Sequence, residues 1–301
     1  FRSIPDSTFP IVGTIIGSFI FGIGIVLAGG CATGTWYRAG EGLIGSWIAL
    51  IMYALTAAAT KTGILLPVMT WVNQPTNVNA SMAQTTGIPM WIFVIVLTII
   101  TLYVVIKTLR KPKPKVAVPK LKQKYHGIRH YLFEKRYHPF VAGIVVGLIA
   151  LLAWPMSIST GRDYGLGITT PSANLVTYLI TGDSKLIDWG VLLVLGIFIG
   201  SYIAARGAHE FKWRLPDIRT IRNSAVGGIC MGFGASVAGG CSIGNGLVET
   251  AIMSWKGWIA LFAMILGVWF TSYFIFIRPM KQIQQTDKKA NKTVSQTQLS
   301  S

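Results

Sequence analysis

Hydrophobic positions along this chain do not alternate with polar ones; they run together. Phe9–Thr35, Leu43–Thr60 and Thr62–Ile106 contain no charged residue. An apolar stretch of about 18 residues or more with few charges is long enough to cross a bilayer as a helix. Seven such stretches are read, at roughly 10–30, 43–61, 90–108, 139–157, 187–205, 223–240 and 256–277. The alternating segments of about ten residues that build a membrane β-barrel are absent. The expected fold class is all-α: a polytopic helical membrane protein of about seven spans, several of them broken by glycine.

The breaks are duplicated. Phe21-Gly-Ile-Gly-Ile-Val-Leu-Ala-Gly-Gly-Cys-Ala-Thr-Gly34 returns as Met231-Gly-Phe-Gly-Ala-Ser-Val-Ala-Gly-Gly-Cys-Ser-Ile-Gly244, with seven of fourteen positions identical. After one extra residue in the second copy the match resumes as Trp47-Ile-Ala-Leu50 against Trp258-Ile-Ala-Leu261. Duplicated, interrupted hydrophobic segments are the best sequence pointer to the binding site of a transporter.

Charge decides the orientation of the two copies. The formal net charge is +17, and 12% of residues are charged. Eleven of the 27 basic residues fall between Lys107 and His138, five between Arg206 and Arg222, and five after Ile277. Cationic loops that alternate with uncharged ones mark cytoplasmic sides, and they account for the charge without nucleic acid. Such loops also attract anionic membrane lipids. With the charge-free loop 63–89 and the loop 157–189 outside, the seven spans alternate and the C-terminus is cytoplasmic. The first motif is then reached from outside and the second from the cytoplasm, so the halves form an inverted repeat.

The expected organisation is a first repeat at 1–110, a basic cytoplasmic linker at 111–138, a second repeat at 139–280 and a disordered tail at 281–301. The second copy has two spans ahead of its motif helix and the first has none. A full duplication would put about seventy to eighty further residues before Phe1, so the first repeat reads as N-terminally incomplete.

Gly29-Gly30 and Gly239-Gly240 each disfavour helix by about 1 kcal/mol per glycine relative to alanine. Unwound backbone at membrane depth survives only where protein buries it or where it lines a wet cavity. The half-helix that follows presents free N–H groups and the positive end of its dipole, an arrangement suited to anions. Cys31 and Cys241 stand at that point in both copies. A thiol is a weak donor and a soft acceptor, and among apolar groups it stays neutral. Such a group suits a passing anion with a soft sulfur better than a hard oxyanion. Cys230 lies outside the motif and reads as a small hydrophobe. Gly22 and Gly24 read as notches that let a neighbouring helix approach.

Thr33, Thr35 and Asn245 either hydrogen-bond a ligand or recap the freed backbone. Arg38, Glu41 and Glu249 follow the cysteines, and ionisable groups at that depth are functional candidates; Arg38 and Glu41 can alternatively pair across a helical turn. The four histidines lie in basic loops away from the cysteines, and three irregularly spaced cysteines build neither a disulfide scaffold nor a zinc site. No metal, cofactor or catalytic residue is expected.

Gly29-Gly-Cys-Ala-Thr-Gly-Thr-Trp-Tyr-Arg-Ala-Gly-Glu-Gly42, Phe133-Glu-Lys-Arg-Tyr-His-Pro139, Gly165-Leu-Gly-Ile-Thr169 and Gly232-Phe-Gly-Ala-Ser-Val-Ala-Gly-Gly-Cys-Ser-Ile-Gly-Asn-Gly246 carry a resemblance to the YeeE/YedE (TsuA-type) family of bacterial thiosulfate and related sulfur-compound permeases. It covers nearly the whole chain except the tail. The resemblance implies an hourglass-like fold with short re-entrant helices, and import of thiosulfate for cysteine synthesis through transient S–H···S contacts along path cysteines. Cys31 and Cys241 match two of those cysteines; the third belongs, on this resemblance, to an N-terminal segment ahead of Phe1. A small TusA-like sulfur carrier in the cytoplasm is the implied partner.

The expectation is therefore an inner-membrane permease, not an enzyme, passing thiosulfate along Gly29, Gly30, Cys31, Thr33, Gly239, Gly240, Cys241 and Asn245. A permease for another sulfur or selenium species is one alternative. A membrane thiol oxidoreductase pairing Cys31 with Cys241 is another, against which stands the lack of a Cys-X-X-Cys pair.

Overall fold

A computed structural model describes residues 8–74, 77–79, 81–110, 130, 137–162 and 164–280. The expected tail and nearly all of the expected basic linker lie outside the described residues. In chain order the elements are β1 (Thr8–Pro10), α1 (Ile11–Leu27), α2 (Ala32–Gly40), α3 (Ile44–Lys61), α4 (Leu66–Val72), β2 (Asn77–Asn79), α5 (Met82–Thr86), α6 (Met90–Arg110), α7 (Pro139–Ser159), α8 (Thr169–Thr181), α9 (Trp189–Gly207), α10 (Ile218–Val237) and α11 (Trp255–Ser272). A π-helix, Gly244–Glu249, lies between α10 and α11, and a second, Tyr273–Ile277, extends α11. The protein is a polytopic helical membrane protein.

Among the described residues, six helical segments are long and apolar enough to cross a membrane: Ile11–Gly40, Ile44–Lys61, Met90–Arg110, Pro139–Ser159, Trp189–Gly207 and Trp255–Met280. The seventh expected span, 223–240, corresponds to α10, which starts earlier and carries Arg219 and Arg222 before a run rich in glycine and serine. It falls short in apolarity for a physical reason. α10 is packed among α1 and α3 and buries Gly227, Gly228, Met231, Gly232 and Gly234, so protein rather than lipid meets much of its surface. α6 is the opposite case: none of its residues is buried, as suits a helix that meets hydrocarbon all round.

The centre is built on close backbone approaches. Gly17 of α1 packs on Gly234 of α10, and Gly24 of α1 packs on Gly227 of α10. Gly17 and Gly227 occupy equivalent positions in the sequence repeat, as do Gly24 and Gly234. The same contact is thus made twice with the roles exchanged, the reciprocity of a two-fold interface. It extends outward: Gly22 packs on Met264 and Gly267 of α11, and Gly232 packs on Tyr53 and Thr56 of α3, with a Cβ at Gly232 falling 2.5 Å from the Tyr53 carbonyl oxygen. Met264 and Gly267 are the repeat equivalents of Tyr53 and Thr56.

Two ends are distinguishable. At one, β1 pairs antiparallel with β2, Ser81 bridges to Ser254, and Trp255 Nε1 donates to Thr85 Oγ1 at 2.8 Å. At the other, Leu43 bridges to Arg214. The charge-free loop after α3 and the basic segment before α10 therefore lie against opposite ends of α3.

Candidate functional site

Both glycine pairs end their helix in the same way. Gly30 N–H bonds the Ile25 carbonyl at 2.9 Å and Gly29 N–H the Val26 carbonyl at 3.3 Å; Gly240 N–H bonds Ala235 at 2.8 Å and Gly239 N–H bonds Ser236 at 3.2 Å. These are the paired bonds of a Schellman cap, which requires a left-handed residue. Gly29 has φ +73° and Gly239 φ +69°. The second glycine of each pair serves a different need, clearing space for a side chain: a Cβ at Gly30 would stand 3.0 Å from Arg38 Nη1, and one at Gly240 would stand 2.7 Å from Asn245 Oδ1.

Each cysteine then starts the next segment. Cys31 is the extended N-cap residue of α2, and its carbonyl accepts Thr35 N–H at 2.9 Å. The Cys241 carbonyl accepts Asn245 N–H at 2.8 Å. From there the copies diverge: α2 is an α-helix, whereas Gly244–Glu249 is a π-helix in which Val248 N–H reaches the Ile243 carbonyl at 3.0 Å. The second copy has one more residue than the first in this stretch. A residue inserted between fixed ends is taken up by a wider turn.

The two breaks converge. Cys241, 1% exposed, belongs to the apolar cluster that holds Ala32, Trp36 and Ala39 of α2, Tyr53 of α3 and Ile168, with Ile25, Trp47 and Ile243 packed against it. Cys31 is half-buried and directly precedes Ala32 of that cluster. Cys230, half-buried on α10, directly precedes Met231; neither half-buried thiol is itself a member of the cluster.

Of the expected polar residues, Asn245 and Thr35 bond nearby backbone and Thr33 does not. Asn245 Nδ2 donates to the Gly240 carbonyl at 3.0 Å and to Ala238 at 3.3 Å, recapping the end of α10, while its fully buried Oδ1 has no hydrogen-bond partner among the described residues. Thr35 Oγ1 bonds the Ala32 carbonyl at 2.7 Å, and Thr33 Oγ1 is buried without a partner among the described residues. Arg38 donates to the Gly29 carbonyl and to Tyr37 Oη; an ion pair with Glu41 is not formed among the described residues. Glu249 is 8% exposed, and its carboxylate meets Lys256 Nζ at 3.3 Å.

Several residues at the site were not anticipated. α8 begins inside the protein, with Thr169, Pro171, Ser172 and Ala173 buried. Trp36 Nε1 donates to Ser172 Oγ at 3.0 Å, Tyr53 Oη to Thr169 Oγ1 at 2.8 Å, and Lys61 Nζ to Thr170 Oγ1. A signal was present: Gly165-Leu-Gly-Ile-Thr169 precedes a proline that suits a first helical turn. Lys61 is also in electrostatic range of Arg162, Lys256 and Cys241, and it is the only charge between Glu41 and Lys107. Arg162 lies 3.7 Å from Asp188. Tyr164 Oη is 3.2 Å from Glu249 Oε1 and 3.1 Å from the Gly244 carbonyl. Burial, reinforced by the Glu249 carboxylate, pushes the Tyr164 phenol well above its ordinary range, so it stays a neutral donor.

This assembly of paired helix breaks has recognisable relatives. Residues 2–270 match the family model described as Sulphur transport. The chain belongs to the Sulphur transport family. It is 55% identical over 283 residues to the thiosulfate transporter TsuA of Escherichia coli strain K12, covering 94% of this chain and 80% of that protein. It is 34% identical over 282 residues to the thiosulfate transporter TsuA of Spirochaeta thermophila, covering 89% of this chain and 79% of the relative. A shorter match, 35% identical over 95 residues, is to the probable transporter YedE of Escherichia coli and covers 30% of this chain. Membership of the Sulphur transport family makes this chain a transporter, not an enzyme.

Proposed function

We propose that this protein is a permease that imports thiosulfate across the inner membrane of a bacterium, passing the anion between Cys241 and Cys31 by S–H···S contacts. The observation that carries the reading is the placement of both thiols directly after a Schellman cap, each at the start of a new helical segment, with Cys241 buried in an apolar cluster that also holds Ala32, the residue after Cys31. Similarity to proteins named thiosulfate transporters supports the choice of substrate.

Lys61, which has no carboxylate partner among the described residues, supplies positive charge on the approach to Cys241 and attracts an anion there, whereas Arg162 and Lys256 are paired with Asp188 and Glu249. With the basic loops in the cytoplasm, that approach faces outward, the two halves run in opposite directions, and the C-terminus is cytoplasmic. Arg38 and the N-terminal turn of α2 receive the anion near Cys31, from which a small TusA-like sulfur carrier takes it. Thiosulfate has a terminal sulfur for a thiol to meet; sulfate has none and competes poorly.

Uptake of labelled thiosulfate into proteoliposomes tests the reading. Cys31→Ser and Cys241→Ser are each expected to lower uptake strongly while Cys230→Ser leaves it unchanged. Unaltered uptake in both motif variants overturns the thiol path.

A further inference from the structure

We propose that Arg38 and Lys256 are matched positioning residues, each locking one helix break by holding the carbonyl of its left-handed glycine. Arg38 Nη1 donates to Gly29 O, and Lys256 Nζ stands 3.5 Å from Gly239 O. The residues are not repeat equivalents: wherever the extra residue of the second copy is placed, Arg38 aligns with Val248 or Glu249, and Lys256 with Gly45 or Ser46. One contact has been built twice from different places in the chain, which a geometric requirement explains and copying does not.

The requirement is visible in the peptide that joins each glycine pair. Its N–H is held by the preceding helix, Gly30 N–H on Ile25 O at 2.9 Å and Gly240 N–H on Ala235 O at 2.8 Å. Its C=O is held by the cation. A planar unit held at both ends cannot rotate, and the next peptide leads directly to Cys31 or Cys241. The carbonyl also lies at the negative end of a helix dipole, where a cation is stabilising. Lys256 has a second partner, Glu249 Oε1 at 3.3 Å, so the two contacts must be separated by experiment.

The inference rests on the reading that the thiols face a shared path, but its test needs no transport. In full-length protein carrying Cys230→Ala, the rate of modification of each thiol by a small methanethiosulfonate reagent is measured. Lys256→Met is expected to change the Cys241 rate by about tenfold and leave Cys31 within about twofold, the scale set by losing one charge-assisted hydrogen bond. Arg38→Met is expected to do the reverse. Lys256→Arg and Arg38→Lys restore the original rates, and Glu249→Gln leaves the Cys241 rate unchanged. Where a Met variant does not fold, Lys256→Gln and Arg38→Gln are read in the same way. Both rates moving together, neither moving, or Glu249→Gln reproducing Lys256→Met overturns the proposal. Inert thiols in the uptake assay would instead sink the permeation reading alone.

Discussion

Gly17 of α1 and Gly234 of α10 meet backbone to backbone: a Cβ on Gly17 would fall 2.7 Å from the Gly234 carbonyl oxygen, and one on Gly234 would fall 2.5 Å from the Gly17 oxygen. Neither atom can retreat, because both belong to helical main chain. Gly17→Ala and Gly234→Ala should each destabilise the protein by about 1–3 kcal/mol, the usual penalty of overpacking. Thermal unfolding followed by size-exclusion chromatography in detergent checks this; unchanged midpoints would contradict it.

The left-handed glycines make a separate prediction. Gly239→Ala forces a Cβ into φ +69°, at a cost of about 1–2 kcal/mol. Gly239→Asn should be milder, since asparagine accepts that conformation more readily. The ranking Gly, Asn, Ala in thermal stability is the expected result, and an alanine variant as stable as the parent would count against the cap.

Ser172→Ala removes the acceptor of the buried Trp36 indole N–H. An orphaned buried donor costs about 1–3 kcal/mol. The loss should be visible in the unfolding midpoint, and Ser172→Thr should recover part of it by returning a hydroxyl.

Lys61→Met removes the cation near Cys241 that has no carboxylate partner among the described residues, Arg162 being paired with Asp188 and Lys256 with Glu249. The expected outcome is a higher KM for thiosulfate with a smaller effect on maximal uptake, and a weaker dependence of KM on ionic strength, because steering by charge is screened by salt. A fall confined to maximal uptake would place Lys61 elsewhere in the cycle.

Much of this architecture is legible in the residues alone. Charge-free runs mark the spans, and the repeated Ala-Gly-Gly-Cys marks both breaks. The repeat also contains the π-helix in disguise, as the one-residue offset before Trp258. α10 is legible as a span only in outline, since a helix enclosed by protein need not be strongly apolar. The start of α8 escapes such reading because its burial depends on Trp36 and Tyr53, which lie 136 and 116 residues from their partners. Local pattern has no access to contacts of that range. The same holds for Lys256, whose link to Gly239 crosses the whole second break.

The close main-chain contacts between α1 and α10, Gly17 on Gly234 and Gly24 on Gly227, have a mechanical consequence. Where backbone meets backbone the two helices are joined as one frame, and a swinging, door-like cycle would have to tear those contacts on every turnover. The expected outcome is that motion in the cycle falls in the short segments beyond the caps. A covalent staple across α1 and α10 should accordingly leave flux intact.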